Sequence, residues 1–129
     1  MVNLNSNPDF SRLRAFRYGH TAEFFALLCL FLKGYRPIAR RYAAHGGEVD
    51  IIARKGKTII FVEVKARQSI EAASRAIDTK KHIRFSRAVR AWLAHNAWAT
   101  GYSYRADAFL VARWILPHHI PNAFPIIIQ

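Results

Sequence analysis

The chain has 129 residues, 52% of them hydrophobic, which suits one domain around a single core and excludes disorder throughout. Its 20 Lys and Arg against 8 Asp and Glu give a formal net charge of +12, an excess that favours polyanionic partners, nucleic acid ahead of an anionic membrane surface. The single cysteine, Cys29, excludes an internal disulfide and any CxxC zinc spacing, and it fits a reducing compartment.

From the N-terminus, residues 1–18 read as a basic, poorly ordered arm carrying Arg12, Arg14 and Arg17, and residues 19–129 as a single domain. The apolar run from Phe24 to Leu32 has no small-residue cleavage site behind it and therefore lacks a secretory pattern. It is also far short of the roughly 20 apolar residues that cross a bilayer. No membrane insertion and a cytoplasmic location are expected. The same run reads as a first helix, Thr21 to Lys33, with Thr21 as N-cap and Gly34 as its stop. Being apolar almost all round, that helix is expected to be covered on most sides.

Three strands follow. Tyr35 to Tyr42 is edge-like because of Pro37, while Glu48 to Arg54 and Thr58 to Ala66 are rich in β-branched residues and meet at a Lys-Gly-Lys turn. Residues 67–77 are ambiguous between loop and helical turn. A second helix runs from about Asp78 or Thr79 to about His95, with Phe85, Val89, Trp92 and Leu93 as its apolar stripe. Ala106 to Trp114 is a fourth strand, and the proline-broken tail adds a short edge strand. The order α-β-β-β-α-β implies an α/β fold, a mixed sheet flanked by helices.

The acids sit where a core should be. Glu48, Asp50 and Glu63 fall inside the two best strands, which are ordinarily depleted in Asp and Glu. With a two-residue loop at Gly56-Lys57, Lys55 pairs with Thr58, Asp50 faces Glu63 and Glu48 faces Lys65. Alternation then puts these four on one face and Val49, Ile51, Val62 and Val64 on the other. Facing carboxylates repel unless something positive separates them. Lys65 can neutralise the pair as a structural cluster. Alternatively, Mg²⁺ or Mn²⁺ binds between Asp50 and Glu63, completed by the backbone carbonyl of Val64 and by waters. The chemistry would then be phosphodiester hydrolysis, with Lys65 orienting the attacking water or stabilising developing charge.

His45-Gly46-Gly47-Glu48-Val49-Asp50-Ile51-Ile52 followed by Phe61-Val62-Glu63-Val64-Lys65-Ala66-Arg67 resembles the signature of the YraN-type bacterial family, related to the PD-(D/E)XK nucleases and to archaeal Holliday-junction resolvases. The similarity runs over about residues 18–124 and takes in Gly19, Glu23, Lys80, Arg105 with Asp107, and Asn122-Ala123-Phe124. Val49 stands where the wider nuclease motif has proline. The resemblance implies a restriction-endonuclease-like fold with Asp50, Glu63 and Lys65 at the catalytic positions and Glu23 as an auxiliary acid at the metal. It raises branched DNA as a substrate and, because resolvase relatives work as dimers, a homodimer. A nuclease fold does not by itself make a nuclease, so a non-catalytic nucleic-acid-binding module stands as the alternative.

For phosphate contact the candidates are Lys80, Arg84 and Arg87 at helical spacing on the second helix, and Arg67 just past the motif strand. Lys80 is the best placed, near the helix start. Glu23 has a plainer reading as an acid favoured in a first helical turn. Glu48 is either a partner for Lys65 or an outer ligand. His118 and His119, adjacent on a strand, point to opposite faces and make a poor ligand pair. Trp92, Trp98 and Trp114 are expected in the core ahead of stacking on bases, and Cys29 is a packed residue.

Overall fold

A computed structural model describes residues 21–67, 79–112 and 117–127, with 79–81 described by backbone alone. The basic arm at 1–18, most of the ambiguous stretch at 67–77 and the far end of the fourth strand, with Trp114, lie outside the described residues.

Helix α1 covers 21–32. It stops where glycine permits. Gly34 turns into the left-handed region at φ 94°, its N–H reaches the Phe31 carbonyl at 3.0 Å, and the Tyr35 N–H reaches that of Leu30 at 2.9 Å. This is the Schellman pattern, and the side chains of Tyr35 and Leu30 close it by packing in one cluster. Strands β1 (Arg36–Ala44), β2 (Gly47–Lys55) and β3 (Thr58–Arg67) follow as two hairpins, then helix α2 (Thr79–His95) and strands β4 (Ser103–Ala112) and β5 (His118–Phe124).

The sheet runs β1-β2-β3-β4-β5, with β3 and β4 parallel and the other neighbours antiparallel. The parallel pair needs a crossover, and α2 lies within it. β1 is an edge strand, as Pro37 implies, and its register slips between Pro37 and Ala39. The tail adds β5 on the other edge. This is the α-β-β-β-α-β, restriction-endonuclease-like arrangement.

Each face of the sheet has its own core. On one, Ala26, Leu30 and Tyr35 pack against Ile51, Ala53, Ile60, Val62 and Phe109. On the other, Phe85, Val89 and Trp92 of α2 pack against Val49, Ile52, Ile59, Phe61 and Phe124, with Leu93 alongside. The expectation that α1 is covered on most sides does not hold among the described residues. Ala22, Ala26 and Leu30 are buried, but Phe24, Phe25, Leu28, Phe31 and Leu32 are exposed, Leu32 to 75%. A helix resting on a sheet buries one stripe at i, i+4, i+8, and apolar composition cannot say how many neighbours it has.

At the start of β2, a Cβ on Gly47 would lie 1.7 Å from the carbonyl oxygen of Arg84, so α2 rests directly on the strand's backbone there. Gly47→Ala is therefore expected to lower the unfolding free energy by about 3 kcal/mol through forced displacement of the helix. Urea denaturation of the two proteins checks it, and an alanine variant as stable as the parent would contradict the close packing.

Candidate active site

The β2–β3 hairpin has the register its turn demands. Lys55↔Thr58, Arg54↔Ile59, Ala53↔Ile60, Ile52↔Phe61 and Ile51↔Val62 pair in order. The ladder ends at Ile51↔Val62, one step before Asp50 and Glu63 would face each other. On the other side of β2, pairing passes from Arg40↔Ile51 to Tyr42↔Val49 without joining Arg41 to Asp50.

The chain twists at this step. Arg41 holds φ 51°, a left-handed conformation that costs an L-residue about 1 kcal/mol or more. The facing of the strands reverses across it. Ile51, Val62 and Val64 pack on the α1 side as alternation requires, but Val49 packs on the α2 side with Ile52. The sequence reading that put Val49 with Ile51 is therefore corrected. Strict period-2 alternation fails where β2 leaves its ladder with β3 and skips one pair with β1.

That break defines the site. β3 is left with the Val64 amide, which β2 no longer reaches through its backbone, and the Asp50 carboxylate accepts it at 2.7 Å. Glu63, buried on β3, takes a salt bridge from Lys65, Nζ to Oε1 at 3.0 Å, and both side chains are nearly enclosed. Lys65 thus pairs with Glu63, and Glu48, which the hairpin geometry set opposite it, is exposed. The second oxygen of Glu63, Oε2, is buried with no hydrogen-bond partner among the described residues. Glu23 comes from the first turn of described α1, buried, and accepts a hydrogen bond from Arg41 Nε at 2.8 Å. Sequence reasoning missed Arg41, because nothing local marks a strand arginine as the partner of a helix acid.

Burial pushes the Asp50 carboxyl from its ordinary 3.8 up to about 7. The Val64 amide opposes the shift, and the charges of Glu23, Glu48 and Glu63 reinforce it. The ionised site is thus short of positive charge. No group of three or more His, Cys, Asp or Glu side chains converges closely enough to cage an ion among the described residues. What the site does offer is two hard carboxylates, one with an unpartnered buried oxygen, which suits an oxygen-seeking divalent cation completed by backbone and water.

Of the phosphate candidates, Arg84 and Arg87 are exposed on α2. Arg87 lines an open cleft of about 650 Å³ with His45, Arg90, Ala91 and Ala94. Arg67 is exposed at the end of β3, with one guanidinium N–H donating to the Ala66 carbonyl at 2.6 Å. Lys80 is in the first turn of α2, and its side chain lies outside the described residues.

A second polar cluster was not foreseen as a unit. Asp107, fully buried on β4, accepts from Arg105 Nε at 2.8 Å, His119 Nε2 at 2.7 Å and the Asn122 amide at 3.0 Å. Burial alone would raise its carboxyl, but these three donors outweigh it and hold Asp107 below the usual range. Arg105 also donates to the Tyr35 hydroxyl at 2.6 Å, and Lys33 Nζ lies 2.8 Å from His119 Nδ1. A lysine ammonium can only donate, so the contact has Nδ1 accepting, while Nε2 faces the Asp107 carboxylate as donor. The cluster ties the end of α1 to β4 and β5. One signal was available: an acid in the middle of the apolar fourth strand implies a buried partner. His118, by contrast, is exposed. Trp92 is buried in the core, and Trp98 is 48% exposed.

The Asp50 shift has a consequence for stability. Its folded-state affinity for a proton exceeds the unfolded one, so its destabilising effect is absent below about pH 4 and fully expressed above about pH 7. Asp50→Asn, which can still accept the Val64 amide, is expected to be more stable than the parent at pH 8 by about 2–4 kcal/mol. The two should converge as pH falls to 4. Denaturant melts across that window check it, and a pH-independent difference would contradict the buried-charge reading.

Comparison with known proteins agrees with the geometry. The model of the uncharacterised protein family UPF0102 matches residues 22–111. A UPF0102 protein of Methylorubrum extorquens is 55% identical over 123 residues, 94% of each chain. One from Methylobacterium radiotolerans is 51% identical over 115 residues, 89% of each chain. One from Sinorhizobium fredii is 45% identical over 117 residues, 91% of this chain and 96% of the relative. With the hairpin signature, the αβββαβ sheet and this likeness along nearly the whole chain in agreement, the chain belongs to the UPF0102 family.

Proposed function

We propose that this chain is a Mg²⁺- or Mn²⁺-dependent nuclease that hydrolyses DNA phosphodiester bonds, with branched or single-stranded DNA as its substrate. The observation that carries the reading is half-buried Asp50 beside buried Glu63, whose second oxygen has no partner among the described residues, next to Lys65. Asp50 and Glu63, with the backbone carbonyl of Val64, would hold the cation, and Glu23 would add an acid at the helix side. Such an ion, when bound, offsets charge on the scissile phosphate and lowers the pKa of a water.

The chain's own residues supply the rest. Asp50 is fixed by the Val64 amide, so its carboxylate is aimed before any ligand arrives. Lys65, 3.0 Å from Glu63, places its amine within the site. From there it can orient a water or stabilise the negative charge that develops on phosphate oxygens. Arg84, Arg87, Arg67 and Lys80 would grip flanking phosphates, in keeping with a net charge of +12. No helix among the described residues is long and apolar enough to cross a bilayer.

A second reading has one observation of its own. The Lys65–Glu63 salt bridge already compensates one carboxylate without an ion. The fold would then serve as a nucleic-acid-binding module that does not cut. Cleavage separates the two. Incubation with branched and single-stranded DNA in Mn²⁺ or Mg²⁺ is expected to yield products, with Asp50→Asn and Lys65→Ala each slower by about 100-fold or more. Wild type that binds DNA but leaves it intact with either metal would favour the module and overturn the nuclease.

A further inference from the structure

At the far end of β2 from Asp50, four residues on and about 13 Å away along the strand, positive charge collects without acidic partners among the described residues. Arg36 and Arg54 stand directly opposite each other in the β1–β2 register. Like charges in facing positions work against sheet pairing. Lys57, exposed in the hairpin loop, holds its ammonium 4.9 Å from the centre of the Tyr102 ring. Arg54 lies 5.5 Å from the same ring and donates to its hydroxyl at 3.1 Å. Among the described residues, Arg36, Arg54 and Lys57 reach no carboxylate.

Beside them an aromatic surface is open. Trp98, in the short 3-10 turn Ala97–Ala99 after α2, is 48% exposed. Its ring meets Tyr102 edge-on at 5.6 Å and Trp92 at 5.7 Å, which holds it rigid. Its indole N–H is satisfied by Asn96 at 3.3 Å, so what remains exposed is apolar ring. A fixed, half-open indole beside unpaired cations matches the chemistry of single-stranded nucleic acid, in which bases stack on aromatic rings and phosphates take the positive charge. A duplex hides its base faces and could use the cations alone.

We propose that Trp98 and Tyr102, with Arg36, Arg54 and Lys57, form a docking edge for an unpaired nucleic-acid strand. The edge stands apart from the Asp50 centre, at a separation of about four stacked nucleotides. The substrate class this implies, a strand with an unpaired segment beside the cut, rests on the nuclease reading above. The docking edge itself does not.

The test uses full-length Asp50→Asn protein, so that cutting does not intrude, and a short oligothymidylate. Tryptophan fluorescence is expected to quench on binding, and the quench to vanish in Trp98→Phe. Trp98→Ala should weaken binding about 10-fold. Replacing Arg54 and Lys57 together with Gln should reduce the dependence of log affinity on log salt by about 1.4. Folded variants with unchanged affinity, quench and salt slope would overturn the edge, as would capture of anionic vesicles that the oligonucleotide fails to displace. If oligonucleotide binding behaves as expected while wild type cuts nothing, the edge stands and the nuclease reading falls. If wild type cuts while these variants bind normally, the reverse holds.

Discussion

The site depends on a single interruption of the sheet. β2 gives up its pairing with both neighbours at Asp50, and the carboxylate takes over the Val64 amide that the ladder would have served. Were the ladder to continue, Asp50 would be one more strand residue. Because it stops, a carboxylate lies beside β3 at a depth where ionisation is costly, with Glu63 on that strand and Glu23 close enough to add to the cost. Arg41 is part of the same break. Its left-handed backbone lets β1 follow the twist, and its guanidinium holds Glu23 on α1. Strain and unfavourable charge are concentrated at one point, and the surrounding structure must hold them there.

What holds them is packing on both faces and a second ionic cluster outside the site. Gly47 lets α2 settle onto the backbone of β2 three residues before Asp50, so the strand cannot relax toward that helix. On the opposite face, α1 is fixed by its Ala26–Leu30 stripe and, at its end, by Lys33 and Tyr35 through His119 and Arg105 to the buried Asp107. That network is fully partnered at Asp107, in contrast to Glu63 with its unpartnered oxygen. The difference separates a buried acid matched by donors on every side from one with an oxygen unmatched among the described residues.

Much of this was legible in the residues. Acids inside the two strongest strands, joined by a two-residue loop, placed Asp50, Glu63 and Lys65 together, and the glycine after α1 gave that helix its end. Alternation failed at Val49 because a strand that breaks its ladder no longer obeys a period of two. The covering of α1 was misjudged because an all-apolar helix shows its appetite for burial and not the supply of neighbours. Arg105 with Asp107 was named from the signature, but Arg41 on Glu23 and His119 on Asp107 stayed hidden, since each joins residues far apart in the chain. Trp98 was expected in the core, and it does meet Trp92 and Tyr102 in T-shaped contacts, but those two rings cover only part of it and leave it 48% exposed.

The central claim is that the Asp50–Glu63 pair is a cation site and not a cluster completed by Lys65. Calorimetric titration of Mn²⁺ into wild type and Asp50→Asn at pH 8 tests it most directly, because at that pH Asp50 is ionised and its burial is uncompensated. The account predicts saturable binding to wild type, abolished in the variant and weakened toward pH 6 as Asp50 takes up a proton. Equal heats in the two proteins, or none in either, would contradict it and leave Lys65 as the charge that holds the acids together.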